Sequence, residues 1–197
     1  MTPDLTAERG WRTEDIVVAA VIAAAFGVVF WAWGFVWAAA EPAFLALAPA
    51  RYVISGVWLM PAVVGPLVIR RPGAGVFTEV VAATVSALLG SVWGLDTIVS
   101  GFLQGAAAEL VFAFTLYRLW NLPIAILAGA AAAVGEWLHD VPLYYPGLSF
   151  DLQLAIGAFM LASGVVIAGL GSWLLVRSLA QTGVLAAFPS GRLQRRV

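Results

Sequence analysis

Polar side chains set inside apolar runs are where this chain could do chemistry. The stretch from Ile98 to Trp120 carries Gln104 and Glu109, yet it is long enough to cross a bilayer, which takes about 20 apolar residues at about 1.5 Å each. A carboxylate in lipid is costly, so Glu109 either serves function, pairs with another helix, or is protonated. Gly101, Gln104, Gly105, Ala108, Glu109 and Phe112 recur at i, i+3, i+4, i+7, i+8 and i+11, forming one face of small and polar residues that must look into protein. A second group, Glu136, His139 and Asp140, falls at i, i+3 and i+4 and continues the face of Gly129, Ala132 and Ala133. Glu79 lies about a turn into a third apolar run, where a salt bridge to Arg70 or Arg71 is the expected structural role.

The residue types suit a flat cationic solute. Glu136 and Asp140 can offset positive charge, Gln104 or His139 can hydrogen-bond a heterocycle, and Trp93 or Trp137 can stack on it. The plainer reading of His139 and Asp140 is a helix end that meets water; Glu136 lies deeper and is the first candidate. Metal chemistry has little to stand on, because one histidine and no cysteine make no ligand-spacing motif. The same lack of cysteine excludes disulfides and a thiol nucleophile. No lysine occurs and no G-x-x-x-x-G-K-[ST] is present, so the chain is not expected to hydrolyse ATP by the common route. No cofactor, metal or nucleic acid is expected.

The elements that position these groups are membrane spans. Apolar residues make up 62% of the 197 and charged residues 11%, against roughly 45–50% and 25% in soluble proteins. Spans are predicted at Ile16–Trp37, Tyr52–Ile69, Val76–Trp93, Ile98–Arg118, Ile124–Asp140 and Leu152–Val176. The fold class expected is an all-α integral membrane protein of six transmembrane helices with both termini cytoplasmic. A polar N-terminal segment (1–15) precedes the six-helix domain (16–177), and a cytoplasmic tail (178–197) follows it. Glu41–Arg51, with Pro42 and Pro49, reads as a connecting loop long enough to fold over a site. With the termini inside, nine arginines lie on the cytoplasmic side and Arg51 alone outside. Gln104, Glu136, His139 and Asp140 then fall in the outer half, with many aromatic residues around them. On the first span, Ala20, Ala23, Ala24 and Gly27 make a small-residue face suited to close helix contact, either internal packing or a partner subunit.

Several short motifs in order carry a family resemblance over nearly the whole chain. Arg70-Arg71-Pro72-Gly73-Ala74, then Glu79, Gln104-Gly105, Ala108-Glu109, Ser178-Leu179-Ala180 and Thr182-Gly183-Val184-Leu185 resemble the YkoE-type substrate-binding (S) component of energy-coupling factor transporters. The resemblance implies a six-helix membrane fold and uptake of thiamine or its hydroxymethylpyrimidine precursor. It also implies a transmembrane coupling subunit and ATPase subunits as partners, with the face around Ala20, Ala23, Ala24 and Gly27 touching the coupling subunit. Glu136, Gln104, His139, Asp140, Trp93, Trp137 and Glu109 are the candidate binding residues on position and chemistry. Two other classes stand beside it: an S component for another solute such as a metal, and a small intramembrane enzyme or assembly factor using Glu109 and Glu136. The first would need a ligand cluster and the second a nucleophile or metal set near the acids.

Overall fold

The structure is a computed structural model that describes residues 10–192, and among these every regular element is helical. Helix α1 (Thr13–Ala40) leads into 3₁₀ turns over Glu41–Leu59 and then into α2 (Met60–Ile69). Helices α3 (Ala74–Leu88), α4 (Asp96–Phe114) and α5 (Leu122–Tyr144) follow. The last long run joins α6 (Phe150–Ser163), a π-helical stretch (Gly164–Gly171) and α7 (Ser172–Gln181), and α8 (Pro189–Arg192) is a single turn. Four continuous runs are long and apolar enough to cross a membrane: Thr13–Ile69, Asp96–Phe114, Leu122–Tyr144 and Phe150–Gln181. Helix α3, with 15 residues, is shorter, at about 22 Å on a 1.5 Å rise.

Helix α2 forms the centre, with every residue from Pro61 to Ile69 buried. Around it α1 packs on α3, α3 on α4, α4 on α5, and α5 on the π-helical stretch. Small residues make these approaches possible. A Cβ on Gly27 would lie 2.5 Å from Val85 Cβ and 2.8 Å from the Ala82 carbonyl oxygen, so α1 and α3 touch where a side chain would part them. On the face expected to make close helix contact, Ala23 and Gly27 are buried within the bundle, Ala20 is half-buried, and Ala24 is exposed.

The boundaries differ from expectation at several places. Glu41–Arg51 is not a plain loop: Pro42 and Pro49 end the α-helical pattern, yet the backbone keeps 3₁₀ turns on both sides of a break at Leu47 (φ −147°, ψ 74°). Indole hydrogen bonds hold this stretch against α1, from Trp33 to the Ile54 carbonyl (2.9 Å) and from Trp58 to the Phe30 carbonyl (3.1 Å). The third span stops at Leu88, because Gly90 and Gly94 take left-handed conformations, which leaves Trp93 in the connecting turn. At the end of α4, Leu116 and Tyr117 both have positive φ, so Arg118 lies beyond the helix. The C-terminal segment folds back instead of trailing away. Leu185 and Phe188 are buried, and the Ser190 hydroxyl lies 3.5 Å from the Val68 carbonyl oxygen. Residues 1–9 and 193–197, including Arg9, Arg195 and Arg196 of the charge argument, lie outside the described residues, as does the side chain of Arg192.

Candidate functional site

One end of the bundle holds a cavity of about 240 Å³ between α1, the 3₁₀ stretch, α4 and α5. Rings wall it on one side. Tyr145, Tyr52, Trp37, Trp58 and Trp93 form an edge-to-face chain with successive centroids 6.2, 5.1, 5.4 and 5.1 Å apart, the geometry that aromatic quadrupoles favour. The hydroxyl of Tyr52 donates to that of Tyr145 at 2.8 Å. Trp37 and Tyr52 are buried, and Trp58 is half-buried through its link to α1.

Acids and hydroxyls make up the other side. Helix periodicity brings Asp96, Ser100 and Gln104 onto one face of α4, four residues apart, and all three line the cavity with Glu136 and Asp140 of α5. The Ser100 hydroxyl accepts from Gln104 Nε2 at 2.8 Å and donates to Asp140 Oδ1 at 3.4 Å. His139 lies between two carboxylates, with Nδ1 2.8 Å from Asp140 Oδ1 and Nε2 3.4 Å from Asp96 Oδ1. Tyr144 donates to Asp96 Oδ2. Glu136, only 3% exposed, accepts from the Ser55 hydroxyl at 3.1 Å. The carboxylates thus keep acceptor capacity toward the cavity, because an ionised carboxylate offers about four lone-pair sites. The cavity thus combines carboxyl groups with π faces, the residue types that suit a flat cationic ring.

The opposite end, at the turn joining α2 and α3, treats its acids differently. Glu109 accepts from the backbone N–H of Gly73 (2.6 Å) and of Gly75 (2.7 Å), closing the first turn of α3. A Cβ on Gly75 would sit 2.9 Å from Glu109 Oε2, which explains a glycine there. Glu79, fully buried, takes the Ala62 N–H at 2.7 Å, and its Oε1 has no partner among the described residues. The expected salt bridge from Glu79 to Arg70 or Arg71 is absent: Arg71 instead reaches Asp15 at 3.4 Å, and Arg70 lies over Trp120 at 5.7 Å. Burial pulls the Arg70 guanidinium below the usual arginine range.

Of the residues expected to bind a ligand, Trp93, Gln104, Glu136 and Asp140 meet in the cavity. His139 reaches it through the two aspartates that flank it. Glu109 and Trp137 do not join them. The first is taken by the turn amides; the indole of the second donates to the Gln153 carbonyl (2.9 Å) on α6. Trp58, Ser86 and Ser100 also line the cavity, and Ser55 supports Glu136, without having been expected. The spacing of Asp96, Ser100 and Gln104 is the available signal for Ser100, whereas Trp58 and Ser55 sit in an apolar run with no distinguishing pattern.

Comparison with known proteins adds three findings. The family described as "ABC-type cobalt transport system, permease component" matches residues 14–135. "Putative HMP/thiamine permease protein YkoE" of Bacillus subtilis (strain 168) is 34% identical over 189 residues, covering 93% of this chain and 92% of its own. A solved structure described as "Crystal structure of an S-component of ECF transporter" superposes with a TM-score of 0.89 at 32% identity, covering 95% of this chain and 94% of the other.

Proposed function

The chain belongs to the YkoE-type S components of energy-coupling factor transporters, multi-pass plasma-membrane proteins that are transporter subunits and not enzymes, and on that premise we propose that its cavity binds thiamine or hydroxymethylpyrimidine. The observation that carries this is the pairing of the Tyr145–Trp93 ring chain with Glu136, Asp140 and Asp96 across one cavity. Thiamine has a thiazolium cation for the acids and a pyrimidine ring for stacking and for the Gln104 amide. The relative named for HMP and thiamine supports the same class. A metal substrate fits less well: among the described residues no three His, Asp or Glu side chains are placed to share an ion.

The same reading includes six spans with cytoplasmic termini and the cavity open to the outside. The continuous Thr13–Ile69 run would supply two spans by turning at the Leu47 break, and α3 would supply the short one. The coupling subunit would meet the exposed side of α1 at Ala24 and Ala20, and ATPase subunits would complete the machine. Because the chain has no cysteine, Pro72→Cys and Pro146→Cys report topology directly. The first should resist an impermeant thiol reagent in intact cells and the second should react; the reverse pattern contradicts the orientation. Calorimetry of purified protein with thiamine and with hydroxymethylpyrimidine tests the ligand class, and heat from neither removes it.

A further inference from the structure

Among the described residues lining the cavity, Arg51 is the one cation, and cation recognition does not use it. Its guanidinium lies 4.2 Å from the Trp37 ring centroid, and its side chain is 18% exposed. One hydrogen-bond partner appears among the described residues: NH1 donates to Glu41 Oε2 at 3.0 Å. The Glu41 side chain is 66% exposed, so solvent screens this pair and it holds Arg51 weakly. A guanidinium has five donors in a planar fork, so most of its capacity remains. A second cavity, of about 380 Å³, lies beside the first and shares Arg51, Tyr52 and Tyr145 with it. Arg51 therefore stands where the two spaces meet, on the 3₁₀ stretch, while Glu136 and Asp140 of α5 and Asp96 of α4 line the first space alone.

From this placement we propose that Arg51 determines specificity for an anionic group on the ligand, so that the site accepts the phosphate monoester of a cationic heterocycle as well as the free alcohol. The cation then lies toward Glu136 and Asp140, and the phosphate lies at the junction. There it takes the Arg51 fork and the Tyr145 hydroxyl, whose proton the Tyr52 bond leaves free. Trp37 beneath the guanidinium anchors it by cation–π attraction, and the planar fork suits two parallel N–H bonds to one phosphate. Glu41 is the opposing charge and must release Arg51; its exposure makes that release cheap. The inference rests on the thiamine reading and extends it to an ester of the same ligand.

The test uses the full chain in detergent, with thiamine and thiamine monophosphate titrated into wild type, Arg51→Gln and Arg51→Lys. At pH 8 the phosphate is a dianion, since its second pKa is about 6. Arg51→Gln should lose monophosphate affinity by roughly ten- to hundredfold, as expected for charge-assisted hydrogen bonds. Its thiamine affinity should stay within about threefold, the range for a weakly held exposed pair, which also shows that the variant folds. Arg51→Lys should fall between, keeping the charge without the fork. Wild type that binds thiamine but not the monophosphate, or an Arg51→Gln variant that weakens both ligands equally, overturns this inference and leaves the thiamine reading standing. Wild type that does not bind thiamine overturns this inference, and wild type that binds neither thiamine nor hydroxymethylpyrimidine overturns the ligand reading with it.

Discussion

The two ends of the bundle each bury carboxylates, and they differ in what those carboxylates find. At the α2–α3 turn, Glu109 takes two backbone N–H groups and Glu79 takes one, and the chain closes over them. At the cavity end, Glu136 and Asp140 have serine hydroxyls and an imidazole as neighbours and face an open space walled by rings. A backbone donor fixed by a turn is a structural partner, because the group it satisfies cannot turn to a ligand without orphaning the amide. A hydroxyl can rotate and leaves lone pairs free. Burial is common to both sets of acids; what differs is the kind of donor each has found, and on the proposed function that difference marks the acids free to meet a ligand.

Variants that break one end should leave the other intact. The largest effect belongs to Glu109→Ala, which strands the Gly73 and Gly75 N–H groups. It should cost roughly 3 kcal/mol or more of stability, read as a lower midpoint of thermal unfolding in detergent, while the folded fraction keeps wild-type ligand affinity. Loss of affinity in that folded fraction would move Glu109 into the site. Next comes Trp58→Leu, which removes the middle ring of the Trp37–Trp58–Trp93 chain. It should weaken thiamine about tenfold, in line with a partly desolvated cation–π or stacking contact of about 1–2 kcal/mol, and an unchanged titration would show that the ring chain is packing. Smallest is Trp137→Phe, which gives up one hydrogen bond to Gln153. About 1 kcal/mol of stability should go with ligand affinity unchanged, and a clear loss of affinity would return Trp137 to the site.

How much of this was legible in the sequence follows from what periodicity carries. The face Gly101, Gln104, Gly105, Ala108, Glu109 and Phe112 is buried as the spacing predicts, because a helix keeps i, i+4 and i+7 on one side. The same spacing could not show that this face spans both ends, so that Gln104 reaches the cavity while Glu109, five residues on, reaches a turn 34 residues back in the chain. Glu79 was expected to find Arg70 or Arg71 because they are near in sequence; instead the tight α2–α3 approach set the Ala62 amide against it, and Arg71 went to Asp15 at the start of α1. Trp58 and Ser55 could not be told from packing residues, since only the 3₁₀ winding after Pro49 turns one toward Trp37 and Trp93 and the other toward Glu136. Local pattern named the polar groups; their partners came from which turns and helices met across the bundle.

The central claim, that cavity-end carboxylates recognise ligand charge and turn-end carboxylates do not, is tested most directly by one paired titration. Thiamine carries a permanent cation and hydroxymethylpyrimidine does not, so calorimetry with both ligands on wild type, Glu136→Gln and Glu109→Gln isolates the charge term. Glu136→Gln should weaken thiamine by roughly tenfold or more, the effect of a contact of about 2 kcal/mol in a desolvated site, and change the neutral pyrimidine far less. Glu109→Gln should alter neither affinity in the folded protein. Unchanged thiamine affinity in Glu136→Gln, or an equal loss for both ligands, would contradict the account.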